Sequence, residues 1–338
     1  MPRYTPSPRY TDTAPATGVL LVNSGTPDSL TAGGVRSFLR GLLGDPRTIE
    51  LPRIAWLPVL YGVILPTRPL RVMHKYRSIW TPEGSPLLTI SRELQRALQA
   101  KLTQERGSDV PVALGMLYST PGVAAGLEEL RDAGAQRIVI LPLFPQYSGT
   151  TTAAAFDQVG AALRSWRFLP ELAFVPDYHA EEPYLDALAA SVRAARAPDS
   201  DHLLITFHGI PQSYVDAGDP YRRRCEGTAR RLAERLGLED TQWSLSFQSR
   251  VGPQQWLQPY TDDAVRALAA RGIRRVTAIC PGFAIDCLET LEEIAVDYAA
   301  QFVAAGGERL DYVPALNATA LHVDALSRVL TRHAWPRA

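Results

Sequence analysis

The sequence predicts an α/β protein built as two similar domains, each a parallel sheet flanked by helices, related by internal duplication. Three observations carry this. Short apolar runs have the length and composition of buried parallel strands, amphipathic stretches of helical period separate them, and one offset lays the second half of the chain on the first.

In chain order, residues 1–16 (MPRYTPSPRYTDTAPA) are rich in Pro and Thr and lack the apolar core of a signal peptide, which predicts a disordered arm and a chain that is not exported. The first strand series follows as VLLVNSG (19–25), VALGMLY (112–118), RIVILPLFP (137–145) and LAFVPDY (172–178). Within it lies the most apolar stretch, IAWLPVLYGVIL at 54–65, which is interrupted by Pro58 and too short to span a bilayer as a helix. The second series is HLLITFHG (202–209), WSLSFQS (243–249), RRVTAICPGF (274–283) and LDYVPALN (310–317). Adding 138 carries Pro121, Leu130, Gly134, Arg137, Val175 and Pro176 onto Pro259, Leu268, Gly272, Arg275, Val313 and Pro314 without a gap. The expected domains are therefore 17–182 and 183–320, with right-handed crossovers in each. The helices beginning near Pro183 and Leu321 are expected to cross between lobes, so that 321–338 returns to the first domain.

The 35 basic and 35 acidic residues cancel, so the chain has no net field to draw it onto nucleic acid, and no such partner is expected. Cys225, Cys280 and Cys287 have neither CxxC spacing nor a plausible disulfide framework. They read as free thiols in a reducing, cytoplasmic compartment. No GxGxxG follows the first strand, which argues against a dinucleotide-dependent enzyme.

Open parallel sheets bind ligands at the carboxyl ends of their strands, and the uncommon residues of this chain lie there. Strand ends carry Asn23, Ser24 and Gly25, then Gln146 to Thr152, then His208, Gly209 and Pro211, then Pro281 to Asp286. His208 stands where a buried strand opens into a Gly and Pro turn, which leaves a ring nitrogen available for a metal or a proton; the residue type alone is equally compatible with a histidine satisfied inside the fold. The segment 286–302 (DCLETLEEIAVDYAAQF) reads as an amphipathic α-helix with Leu288, Leu291, Ala295, Tyr298 and Phe302 as its apolar stripe. Asp286, Glu289 and Glu293 occupy another face, with Asp286 suited to the N-cap. If that face is desolvated, at least one carboxylate is expected to titrate above its ordinary range. A His opposite a Glu would hold Fe2+ loosely enough to pass it on. Trp256 is equally compatible with a wall for a flat aromatic ligand and with a core residue.

Together, LLVNSGTPDS, EGSPLL, LPLFPQYSGTTT, FHGIP, GDPY, FQSRVGPQQWL and PGFAIDCLETLEEI, in that order from about residue 17 to 330, resemble the ferrochelatases, single-chain chelatases. The resemblance implies two Rossmann-like domains, a porphyrin in the cleft between them, and insertion of Fe2+ into a macrocycle bent out of plane. It makes His208 and Glu289 the metal-site and proton-transfer pair, with Glu293 extending the acidic path. It places Ser24, Tyr118, Ser148, Thr151, Thr152 and Trp256 near the macrocycle. Ser24 stands where coproporphyrin-using relatives have a tyrosine, so the implied substrates are protoporphyrin IX and Fe2+. Leu117 stands where the animal enzymes have an arginine, which removes a porphyrin-carboxylate contact there. No cysteine follows Cys287, so no iron–sulfur cluster is expected and no cofactor is permanently bound. The segment 54–65 is similar to the family's lip and predicts a peripheral membrane contact. The competing readings are a cobalt or nickel chelatase for another tetrapyrrole and, from a different class, a two-lobed solute-binding protein. Oligomeric state is not legible in the sequence.

Overall fold

The computed structural model describes residues 4, 5 and 16–335; most of the arm expected over residues 1–16 lies outside the described residues. The chain forms two units, one made of the residues up to Asp177 together with those from Ala318, the other of Tyr178–Asn317.

In the first unit, β1 (Thr17–Asn23), β2 (Val112–Met116), β3 (Arg137–Pro142) and β4 (Glu171–Phe174) form one parallel sheet in the order β2-β1-β3-β4. The strands are near-continuous runs of Val, Ile and Leu because helices cover both faces. Leu20, Val22, Ile138 and Ile140 join Leu127, Leu130 and Val159 in a core of fully or almost fully buried side chains. Gly126 is required by the packing: a Cβ there would lie 2.7 Å from Leu20 Cδ1 and 2.9 Å from the Leu114 carbonyl oxygen, so the helix Val123–Asp132 could not approach the sheet. The helix Ala320–Ala334 packs on Pro86–Arg106, where Lys101 pairs with Asp324 and Arg106 donates to Thr331 Oγ1 at 2.8 Å.

The second unit repeats the plan. β5 (His202–His208), β6 (Trp243–Gln248), β7 (Arg275–Ile279) and β8 (Arg309–Val313) are parallel in the order β6-β5-β7-β8. The helix Glu182–Ala195 belongs here, held to Tyr221–Leu236 by Arg235, which pairs with Glu182 and Asp186. Equivalent details recur at the offset found in the sequence: cis peptide bonds precede Pro121 and Pro259, and Gly134 and Gly272 have φ of 80° and 82°. The units differ after the second strand. Met116 donates to the Pro121 carbonyl and Phe247 to that of Pro259, so the same closure spans a longer segment in the second unit, one that adds Ser249 and Trp256.

In each sheet the strand order reverses beside the first strand, so the carboxyl ends of β1 and β3, and of β5 and β7, flank the position where open sheets take ligands. Three π-helical segments, Leu60–Ile64, Gly149–Ala153 and Glu289–Tyr298, fall in the apolar stretch and after β3 and β7. This corrects the α-helix expected from residue 286. The buried residues are Thr290, Ile294, Tyr298 and Phe302, in steps of four, with Glu292 beside them, whereas Leu288, Leu291 and Ala295 are only half-buried. Bonding from i to i+5 widens the turn, and such segments concentrate at functional sites.

Candidate functional site

His208 ends β5, paired across the sheet with Gln248. Its Nδ1 lies 2.6 Å from the Gly209 carbonyl oxygen. A carbonyl only accepts, so Nδ1 carries the hydrogen, and in the neutral ring Nε2 keeps its lone pair. The backbone is fixed from two sides: Tyr221 Oη donates to the His208 carbonyl at 3.0 Å and Gly209 N to that of Gln248 at 2.8 Å. The rings of Trp256 and Phe283 flank the imidazole at centroid distances of 6.3 and 6.4 Å. Trp256 is itself held by its indole N–H on the Val251 carbonyl at 2.9 Å.

The π-helical winding brings the carboxylates Glu289 and Glu293 to the same neighbourhood. Burial pushes the Glu293 carboxyl above its ordinary value, and the charge of Glu289 adds to this; hydrogen bonds from Ser249 and Tyr298 and the nearby His208 oppose it. Ser249 Oγ donates to Glu293 Oε2, and Tyr298 Oη to Oε1 at 2.8 Å. Glu289 is anchored through its backbone, its carbonyl accepting from the buried side-chain amide of Gln248 at 3.0 Å. His208, Glu289, Glu293 and Trp256 are thus brought together within one unit. Among the described residues no group of three or more His, Cys, Asp or Glu side chains is placed to hold a metal ion.

Asp286 does not belong to that set. It is 4 % exposed, and its carboxylate accepts from Thr290 Oγ1 at 2.8 Å, Tyr312 Oη at 2.7 Å, Asn317 Nδ2 at 2.7 Å and Ala315 N at 3.3 Å. The expected N-cap is instead a buried clamp joining the start of the π-helix to the end of β8.

The first unit gathers the hydroxyl residues at its own strand ends. Ser24 follows β1, with its carbonyl accepting from Tyr118 N at 3.0 Å. The Tyr118 phenol is committed, donating to Asp45 Oδ2 at 2.9 Å with Thr48 Oγ1 at 3.2 Å, and burial raises its pKa. Ser148 opens the second π-helical segment, its Oγ accepting from Thr150 N at 3.2 Å. The hydroxyls of Thr151 and Thr152 are buried without a hydrogen-bond partner among the described residues.

Ser249 and Tyr298 were not legible as site residues. Tyr298 counts as apolar in any periodicity, and only its hydroxyl reveals its use; the one signal for Ser249 was its place in FQSRVGPQQWL.

Comparison with known proteins gives the family and the fold. The family description "Ferrochelatase" matches residues 16–334. The chain is 48 % identical to a ferrochelatase of Nitrosococcus oceani over 95 % of its own length and 88 % of that protein's. It is 47 % identical to one of Aeromonas hydrophila subsp. hydrophila, over 94 % and 98 %. Among solved structures, SirB from Bacillus subtilis with Fe3+ superposes with a TM-score of 0.58 at 10 % identity, covering 94 % of this chain and 95 % of that one, a likeness of fold.

Proposed function

The chain belongs to the ferrochelatase family and is a metal chelatase, and from that premise we propose that it inserts Fe2+ into protoporphyrin IX, the last step of haem biosynthesis, with release of two protons. One observation carries the assignment of roles. An imidazole whose Nδ1 is committed to Gly209 shares its surroundings with a carboxyl whose proton affinity burial has raised. Insertion displaces two pyrrole protons, and a carboxylate with raised proton affinity is a better acceptor for them than an ordinary one. His208 Nε2 and Glu289 receive the metal and the first proton, and Glu293 passes protons onward. An open His and carboxylate set holds Fe2+ without retaining it, as a metal that is substrate rather than resident cofactor requires. The reading uses no iron–sulfur cluster.

Trp256 and Phe283, whose rings lie beside His208, supply apolar surface for a flat macrocycle. We assign Ser24, Tyr118, Ser148, Thr151 and Thr152 to porphyrin contact, supported by the buried hydroxyls of the two threonines. Protoporphyrin is preferred to coproporphyrin because Ser24 is not a tyrosine.

No helix among the described residues is long and apolar enough to cross a membrane. Ile54, Tyr61, Val63 and Leu70 are nevertheless 88 %, 55 %, 57 % and 61 % exposed, with Arg68 and Arg71 on the same helical stretch. That combination of apolar surface and cations supports a peripheral contact with an anionic leaflet, from the cytoplasmic side.

An anaerobic absorbance assay with Fe2+ and either protoporphyrin IX or coproporphyrin III tests the reading. Faster conversion of protoporphyrin is expected. A preference for coproporphyrin overturns the substrate, a preference for Co2+ or Ni2+ with another tetrapyrrole overturns the metal, and no insertion under any of these conditions overturns the function.

A further inference from the structure

Two non-glycine residues among those described have left-handed backbone, Asn317 at φ 51° and Ser249 at φ 67°. Asparagine tolerates this region, and Asn317 has a visible purpose: its side chain donates to Asp286 Oδ2 and accepts from Asp286 N. Serine is not among the residues enriched there, and nine glycines supply the other positive φ values. A residue held in a sparsely populated conformation is kept by what its surroundings gain. For Ser249 the gain is directional. Its backbone turns out of β6 at the point where the second unit carries the longer segment, and its hydroxyl reaches Glu293 Oε2. Tyr298 Oη, one turn further along the π-helix, takes the other oxygen, Oε1. A carboxylate held at both oxygens by two elements cannot rotate about its terminal bond.

We propose that Ser249 is a positioning residue for iron insertion, its hydroxyl fixing the Glu293 carboxylate in the orientation that accepts a proton from the His208 and Glu289 side. The proposal rests on the reading of Glu293 as a proton acceptor. The other groups facing this carboxylate are His208 from β5, Glu289 and Tyr298 from the π-helix and Cys280 at the end of β7. The neighbouring Arg250 is engaged elsewhere, donating to Asp262 at 3.1 Å and lying over the Tyr260 ring.

Two substitutions separate positioning from structure because in neither are stability and rate expected to fall together. Ser249→Gly removes the hydroxyl but suits the left-handed backbone, so the two effects on stability offset and melting temperature is expected to stay within a few degrees, while kcat falls about tenfold, the effect of one charge-assisted hydrogen bond, and KM for porphyrin stays within about twofold. Ser249→Thr keeps the hydroxyl and adds strain, so melting temperature falls and kcat stays within about threefold of the parent. Parent kcat in Ser249→Gly overturns the proposal, as does a common loss of rate in both variants. Glu293→Gln is the control: if it turns over normally, the reading of Glu293 falls and the proposal with it. If it is slow while Ser249→Gly is not, the proposal alone falls.

Discussion

Replacing Asp286 by alanine tests whether this carboxylate is a clamp or a member of an acidic face. The side chain accepts four hydrogen bonds. Thr290 Oγ1 has a second acceptor in the Cys287 carbonyl at 3.2 Å, and the bond from Ala315 N is long, so the principal loss is that of Tyr312 Oη and Asn317 Nδ2. Leaving each of these part-buried donors unmet costs about 1–3 kcal/mol, and removing a buried charge gives some of that back. A net destabilisation of about 3 kcal/mol follows, equivalent to roughly 10 °C in a melting scan of a domain this size. Asp286→Asn, which keeps an acceptor oxygen, is expected to lose about half as much. Denaturant unfolding followed by tryptophan fluorescence measures both. A loss below about 1 kcal/mol in the alanine variant would refute the clamp and restore Asp286 to the solvated face that helix periodicity assigned to it.

Three further predictions follow from other parts of the chain. His202 is buried at the start of β5, with Nε2 against Ser244 Oγ at 2.9 Å, and burial lowers its pKa from 6.5 to about 4. The unfolded chain therefore binds the extra proton more readily between pH 6.5 and 4; the stability conferred by the neutral ring is complete above pH 6.5 and lost as pH falls through that window, by about 2 kcal/mol after discounting the full shift for solvent screening, and a His202→Asn variant should show a flatter stability profile in urea titrations across it. Gln248→Ala removes the donor to the Glu289 carbonyl and should lower kcat about tenfold, with smaller change in KM, in steady-state assays; an unchanged kcat would show that the anchor is dispensable. Ile54→Asp with Val63→Asp should abolish flotation with anionic liposomes and leave insertion into detergent-dispersed porphyrin intact, whereas undiminished flotation would exclude this surface.

The parallel sheets were legible because strands buried on both faces are continuous apolar runs. All eight overlap the runs the sequence marked, with starts within two residues, but β3, β4, β7 and β8 stop three or four residues before their runs do, as with β7 at Arg275–Ile279 against an expected 274–283, because the apolar run continues into the loop at the strand end. The duplication was legible because turns constrain residue type: Gly134 and Gly272 both need positive φ. The π-helix was not. A stripe with spacings of three and four fits Leu288, Leu291 and Ala295 as an α-helix, and nothing local reports that hydrogen bonds run to i+5. Asp286 lies before the helix, which begins at Leu288, and its carboxylate is taken by Tyr312 and Asn317, so the apparent ladder of three is a pair. Ser249 escaped because strain at a residue is a tertiary fact, and Tyr298 because its ring is core while its hydroxyl is not.

The central claim, that His208 and Glu289 carry out iron insertion, is tested most directly by anaerobic single-turnover absorbance with Fe2+ and protoporphyrin IX on His208→Ala and Glu289→Gln. Each variant should fold with the parent's circular dichroism and bind porphyrin, while insertion slows by at least about a hundredfold, the lower range for losing a positioned acid or base. Insertion at the parent rate in both would contradict the account.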